Sequence, residues 1–196
     1  MQLWTDWNAS AASPMNCDSE PAIHTIGHST RTIENFISLL KAHSIDLVVD
    51  VRRWPASRHC PQFNREALGA SLSSEAIRYR WRGDLGGFRK PAADSPNTGW
   101  RVATFRAYAD FMTTPQFDAI MNEMEAIARK SRIALMCAEA VPWRCHRRLL
   151  ADAFFVRGWP VRHIMENRCE PHSLPAFAEP IGKQIIYRRT QQKDLF

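Results

Sequence analysis

The sequence predicts an α/β domain, a mostly parallel sheet flanked by helices, and three observations predict it. Short β-branched or apolar runs ("IHTIG", "IDLVVDVR", "RIALMC", "PVRHIM") alternate with stretches of helical spacing, which is the order of a parallel-sheet fold. The run from Ile45 to Arg52 is apolar almost without interruption, as in a strand covered on both faces. The chain has 196 residues, 45% hydrophobic and 23% charged, without an internal repeat, so one core is expected.

Residues 1–22 are rich in Ser, Ala, Asn and Pro and lack periodicity, so they are expected to form a loose N-terminal extension, with Met15 an alternative start. They show neither a basic start nor an apolar h-region, so no secretory signal is expected. A single domain is expected over residues 23–180. "IHTIGHS" reads as its first strand, and "TIENFISLLKAHS" places Ile33, Phe36, Ile37, Leu39 and Leu40 on one helical face, with Ser29 or Thr30 as candidate caps. After the strand "IDLVVDVR" comes an irregular loop, "RWPASRHCPQFN", then helix "REALGASLSSE" and strand "AIRYRW".

The Gly/Pro/Asp-rich "RGDLGGFRKPAADSPNTGW" is too long for a tight connection, and long loops in compact domains are often functional. Helices "VATFRAYADFM" and "PQFDAIMNEMEAIARK" follow. The second carries Phe117, Ile120, Met121, Met124 and Ile127 at helical spacing, a core stripe. Strand "RIALMC", a loop, helix "RCHRRLLADAFFVRG" and strand "PVRHIM" complete the domain, and residues 181–196 are expected to be a basic tail.

The formal charge of +6 favours an anionic partner, and only five of the 26 basic residues are lysine. Arginine forks suit phosphate and stack on bases, although a compositional bias of the genome would give the same excess. No run approaches the length of a membrane span, so no membrane partner is expected. Five cysteines without a C-x-x-C pair argue against a disulfide framework and for the reducing cytoplasm.

In open α/β sheets ligands bind beyond the carboxyl ends of the strands, where helix N-termini point unpaired N–H groups inward. That rule gathers Gly27, His28 and Ser29 after the first strand, Asp50, Val51 and Arg52 after the second, and Cys137 and Glu139 after "RIALMC". The segment "MCAEAVPWRCHRRLL" then adds Arg144, Cys145, His146 and Arg147 at a helix start able to hold an anion and lower a thiol pKa.

Cys137, Glu139, Cys145, His146 and His28 are the catalytic candidates. Ser29, Asp50, Arg52, Arg53, Arg144 and Arg147 are the substrate-binding candidates. Blander readings stand beside these: Cys137 as a buried hydrophobe, Arg147 and Arg148 as a solvated helix face, His28 and Ser29 as part of a cap. The spacing C-x7-C-H is not a usual structural zinc pattern, and no cofactor or metal is assigned, although His28, Asp50, Cys137 and His146 could meet around an ion.

The ordered set G-H-S (Gly27 to Ser29), D-V-R-R (Asp50 to Arg53), Tyr79, L-G-G (Leu85 to Gly87), C-x-E (Cys137, Glu139) and C-H-R (Cys145 to Arg147) resembles a bacterial and archaeal family, domain of unknown function 488. The resemblance spans about Ile23 to Ile164 and continues loosely to the end. It implies an α/β domain with these signature residues on the loops just gathered, and it implies no activity.

The end, "YRRTQQKDLF", is similar to the short peptides by which bacterial replication and repair proteins dock on the DNA sliding clamp. In such peptides a glutamine (Gln192 here) leads and a terminal apolar pair (Leu195, Phe196) fills a pocket. A frayed tail, or a strand end folding back on the core, would explain it equally. Two functional readings follow. One is an enzyme on a nucleotide or nucleic-acid substrate, hydrolysing or transferring a group with a Cys/His/Glu/Arg site, linked to DNA repair. The other is a non-catalytic module that binds nucleic acid or a repair complex, with Trp54, Trp81, Trp100 and Trp143 stacking on bases.

Overall fold

The computed structural model describes residues 21–166 and 168–189. Its main sheet consists of β1 (Ile23–Gly27), β2 (Leu47–Asp50), β3 (Arg78–Trp81), β4 (Ile133–Cys137), β5 (Val161–Ile164) and β6 (Cys169–Pro171), ordered β3-β2-β4-β1-β5-β6. The first five strands run parallel and β6 returns antiparallel along β5. Five helices cover it: α1 (Ile33–Ala42), α2 (Arg65–Ser73), α3 (Ala103–Met112), α4 (Pro115–Ala128) and α5 (Arg147–Val156). The α/β class is therefore the one the sequence predicts.

Alternation along the strands divides the core in two. Ile26, Val48, Ala134 and Met136 pack under Phe36 and Leu40 of α1 and Leu68 and Leu72 of α2. Ile23, Leu47, Val49, Ile133 and Leu135 face α3, α4 and α5, where the expected Phe117, Ile120, Met121 and Met124 stripe is buried and Ile127 packs at its edge. Because α1 leaves β1 on one face and α5 leaves its neighbour β4 on the other, the two exit loops diverge. They open a crevice at the carboxyl edge of the sheet, the switch point of an open α/β fold.

Three local expectations change. Thr32, not Ser29 or Thr30, caps α1, its Oγ1 accepting the Asn35 amide at 3.2 Å, and Ser29 instead takes a left-handed turn with φ 50°. The last helix does not start at Arg144: a 3-10 turn spans Pro142–Arg144, and α5 begins at Arg147 after an extended Cys145. Pro142 stands at the first position of that turn, where its missing N–H costs no hydrogen bond.

The fold also continues past residue 181, where the sequence places the start of the tail. Strands β7 (Ala178–Ile181) and β8 (Gln184–Tyr187) form a hairpin about Gly182, whose φ is +60°, and Ile185 and Tyr187 are buried against α3 and α5. Gln192, Leu195 and Phe196 lie outside the described residues.

Between α5, β8 and the sheet runs a buried polar chain. Thr25 Oγ1 meets His163 Nδ1 at 2.8 Å, His163 Nε2 meets His172 Nδ1 at 3.0 Å, and His172 Nε2 meets Asp152 Oδ1 at 2.7 Å. Tyr187 donates to the other Asp152 oxygen at 2.6 Å. One set of tautomers satisfies all four contacts: the threonine hydroxyl donates, each imidazole donates through Nε2, and Asp152 is the ionised end. Burial, chiefly, lowers the His163 pKa to about 3, with Arg147 and Arg148 acting in the same direction, so that imidazole is neutral.

Candidate active site

At the switch point lies a cavity of about 410 Å³, lined among others by His28, Arg52, Arg53, Cys137, Glu139, Arg144, Cys145 and His146. Eight of the eleven catalytic and substrate-binding candidates therefore share one concavity. The other three sit beside or beneath it: Asp50 and Arg147 are buried, and Ser29 lines a neighbouring depression with Arg31 and Asn35.

The second-strand residues engage each other. Arg52 donates from Nε to Asp50 Oδ1 at 2.9 Å and from Nη2 to Asp50 Oδ2 at 2.6 Å. Further donations go from Nη2 to the Phe63 carbonyl at 2.7 Å and from Nη1 to His28 Nε2 at 3.1 Å. Tyr79 completes the group by donating to Asp50 Oδ2 at 2.7 Å. Asp50 thus holds Arg52, and the fifth guanidinium N–H is left for whatever occupies the cavity.

His28 is committed on both sides. Its Nδ1 donates to the Ser29 carbonyl at 2.8 Å and its Nε2 accepts from Arg52, while the ring stacks on Phe63 at 4.3 Å. Burial, chiefly, lowers its pKa to about 4. A neutral imidazole with both nitrogens occupied orients Arg52 and has no free nitrogen for a substrate proton.

The second histidine is arranged differently. His146 Nε2 donates to the Val51 carbonyl at 3.1 Å, which fixes the tautomer and leaves Nδ1 facing Cys145 Sγ at 3.7 Å. Tyr108 packs against the ring, and Gly87 approaches so closely that a Cβ there would lie 2.9 Å from Nδ1. Ring, tautomer and distance are all set by neighbours.

Cys145 is depressed well below the ordinary thiol range by a hydrogen bond from Cys137, opposed by burial and aided by His146 and Arg147. Cys137 is the protonated partner, held high by the same bond and by burial. The Arg147 amide points at Cys145 Sγ from 3.5 Å at the start of α5, where the helix dipole favours an anion.

Arg147 is only 1% exposed, its Nη2 donates to the Glu139 carbonyl, and it forms no ion pair among the described residues. A buried cation without a carboxylate needs another anion, and the Cys145 thiolate is in place to be one. Gly27 allows the crossing: a Cβ there would stand 1.9 Å from the Glu139 carbonyl oxygen and 2.9 Å from Arg147 Nη2.

The mouth is aromatic and basic. Trp54 is 62% and Phe88 67% exposed, their rings stand 5.0 Å apart, and the Arg53 guanidinium lies over Trp54 at 5.6 Å. Of the other tryptophans, Trp81 and Trp143 are partly exposed away from the cavity lining, and Trp100 packs among Phe105, Phe177 and Tyr187.

The model of Domain of unknown function DUF488 matches residues 32–154. The chain belongs to this family. The DUF488 segment contains every cavity residue named above except His28, which precedes it. No curated protein and no solved structure matches the chain.

Sequence reasoning placed Val51 at the strand edge without a role for its carbonyl, and passed over Phe88 and Tyr108. Only Phe88 left a signal, as an aromatic beside the L-G-G turn. Cys137, Cys145 and His146 also place their donor atoms within 4.8 Å of one another, a set able to hold a soft metal ion. His28 and Asp50, bound to Arg52, do not join them.

Proposed function

We propose that this DUF488 protein is a cysteine-dependent enzyme acting on a nucleotide or nucleic-acid substrate, with Cys145 as nucleophile and His146 as its general acid and base. The observation that carries the reading is the chain Cys145, His146, Val51 carbonyl: a depressed thiol, an imidazole in reach, and an acceptor that fixes the imidazole. His146 Nδ1 takes the Cys145 thiol proton, and the resulting thiolate sulfur attacks the electrophilic atom and forms a covalent bond. The bond to the leaving group breaks toward that group, which takes a proton from His146 Nδ1. Water, deprotonated by His146 or Glu139, then displaces the sulfur, or an acceptor group does so in a transfer. Arg53 and Arg144 meet phosphate, and Trp54 and Phe88 stack on the base.

The test is the rate of carbamidomethylation at pH 6, followed by mass spectrometry. Cys145 is expected to react while Cys60 does not, and His146→Ala is expected to slow Cys145 about tenfold, one pKa unit of lost activation. Equal rates at both cysteines, with Cys145→Ser keeping full nucleic-acid binding and biological effect, would assign a binding module instead.

A second reading rests on the clustered donors of Cys137, Cys145 and His146. The His146 donation to Val51 is also the support a metal-bound imidazole receives, and Glu139 would be the non-ligating carboxylate of a hydrolytic zinc site. Zinc that stays through dialysis and leaves with Cys145→Ser selects this reading. The link to DNA repair is carried by the tail alone. Removing Asp194 to Phe196 is expected to abolish sliding-clamp binding, and unchanged binding removes that link.

A further inference from the structure

We propose that His24, His43 and Cys169 form a second site, remote from the cavity, that binds a divalent metal ion of the zinc class. One ring nitrogen from each histidine and the Cys169 sulfur all lie within 4.8 Å of one another, and the two rings stand 6.0 Å apart at 34°. Around tetrahedral zinc, bonds of about 2.0–2.3 Å hold donors roughly 3.3–3.7 Å apart. A contraction of about an ångström closes the set around an ion.

Two imidazoles and a thiol suit zinc and its neighbours and not calcium or magnesium, which take oxygen donors. None of the three lines the cavity. His24 is buried and the other two are half-buried, and these three supply the protein donors found among the described residues.

The donors come from three separate elements. His24 is on the central strand β1, His43 ends the helix α1, and Cys169 opens the edge strand β6, which has only three residues and pairs with β5 alone. So short an edge strand gains little from its own ladder. An ion bound here fastens β6 and the end of α1 to the middle of the sheet, and its binding energy becomes folding energy.

The test uses the full chain, without a histidine tag, carrying Cys137→Ser and Cys145→Ser so that the cavity thiols cannot contribute. Zinc is expected at one equivalent after dialysis, and cobalt is expected to give a thiolate-to-metal charge-transfer band with the visible absorption of a tetrahedral site. His43→Ala and Cys169→Ser in that background are expected to weaken zinc at least about tenfold and to abolish the rise in melting temperature on adding zinc. No bound metal, a cobalt spectrum without the thiolate band, or zinc unaffected by both substitutions overturns the proposal. The spectrum of the unaltered site decides even where His43→Ala fails to fold. Failure here leaves the Cys145 reading intact, since alkylation tests that separately.

Discussion

Arg147 and Cys145 are best understood together, because Arg147 forms no ion pair among the described residues and Cys145 is held low by both His146 and Arg147. Converting Cys145 with iodoacetamide replaces the thiolate with a neutral adduct, whereas iodoacetate restores a negative charge as a carboxylate. The carbamidomethyl protein is expected to melt lower than the carboxymethyl protein, and equal melting temperatures would show that the thiolate does not balance Arg147. Arg147→Met is expected to slow Cys145 alkylation at pH 6 about tenfold. At this scale the sequence told where residues gather but not what each does. The carboxyl-edge rule placed His28 and His146 together and could not separate them. Their roles are set by carbonyls at Ser29 and Val51 and by Arg52, whose positions depend on loops without periodicity.

Elements place these residues through close backbone approaches. The atoms nearest a Cβ at Gly87 all belong to the His146 side chain, 2.9 Å to Nδ1 and 3.1 Å to Cγ, so Gly87→Ala is expected to shift the imidazole and lower Cys145 reactivity severalfold. Gly27→Ala is the opposite case. Its Cβ meets a carbonyl at 1.9 Å, and a loss of about 3 kcal/mol in chemical denaturation is expected. The parallel strands were legible because they are apolar runs with helices between them. The β7–β8 hairpin also left a signal, Gly182 and Lys183 between "AEPI" and "QIIY", which the basic character of the tail concealed. The start of α5 was misplaced because charge and helix propensity at Arg144 to His146 say nothing of the 3-10 turn begun by Pro142.

For the whole molecule, two buried neutral histidines make stability depend on pH. His28, near 4, and His163, near 3, both lie below the ordinary imidazole value of 6.5, so in the acid range the unfolded chain binds protons that the folded chain refuses. Their contribution is complete above pH 6.5 and falls with pH through their folded values, by about 1.4 kcal/mol per unit per histidine at most. Urea midpoints are expected to drop between pH 7 and pH 4.5, and His163→Asn is expected to flatten that slope. An unchanged midpoint in the parent protein would show that the imidazoles are protonated in the fold. The Thr25, His163, His172, Asp152, Tyr187 chain behind this behaviour was invisible in sequence. Its members come from β1, β5, the β6 exit, α5 and β8, and each taken singly looks like a surface residue.

The divergence of the β1 and β4 exits also constrains a polymeric guest. Cys145 is 3% exposed in a cavity that the exposed Trp54 and Phe88 also line, so, for the proposed nucleic-acid substrate, one swung-out nucleotide would enter where a stacked base pair would not. Under the enzyme reading, turnover should therefore follow strand looseness. Single strands and mismatches would be processed ahead of perfect duplex, and helix stability, more than base identity, would set the order.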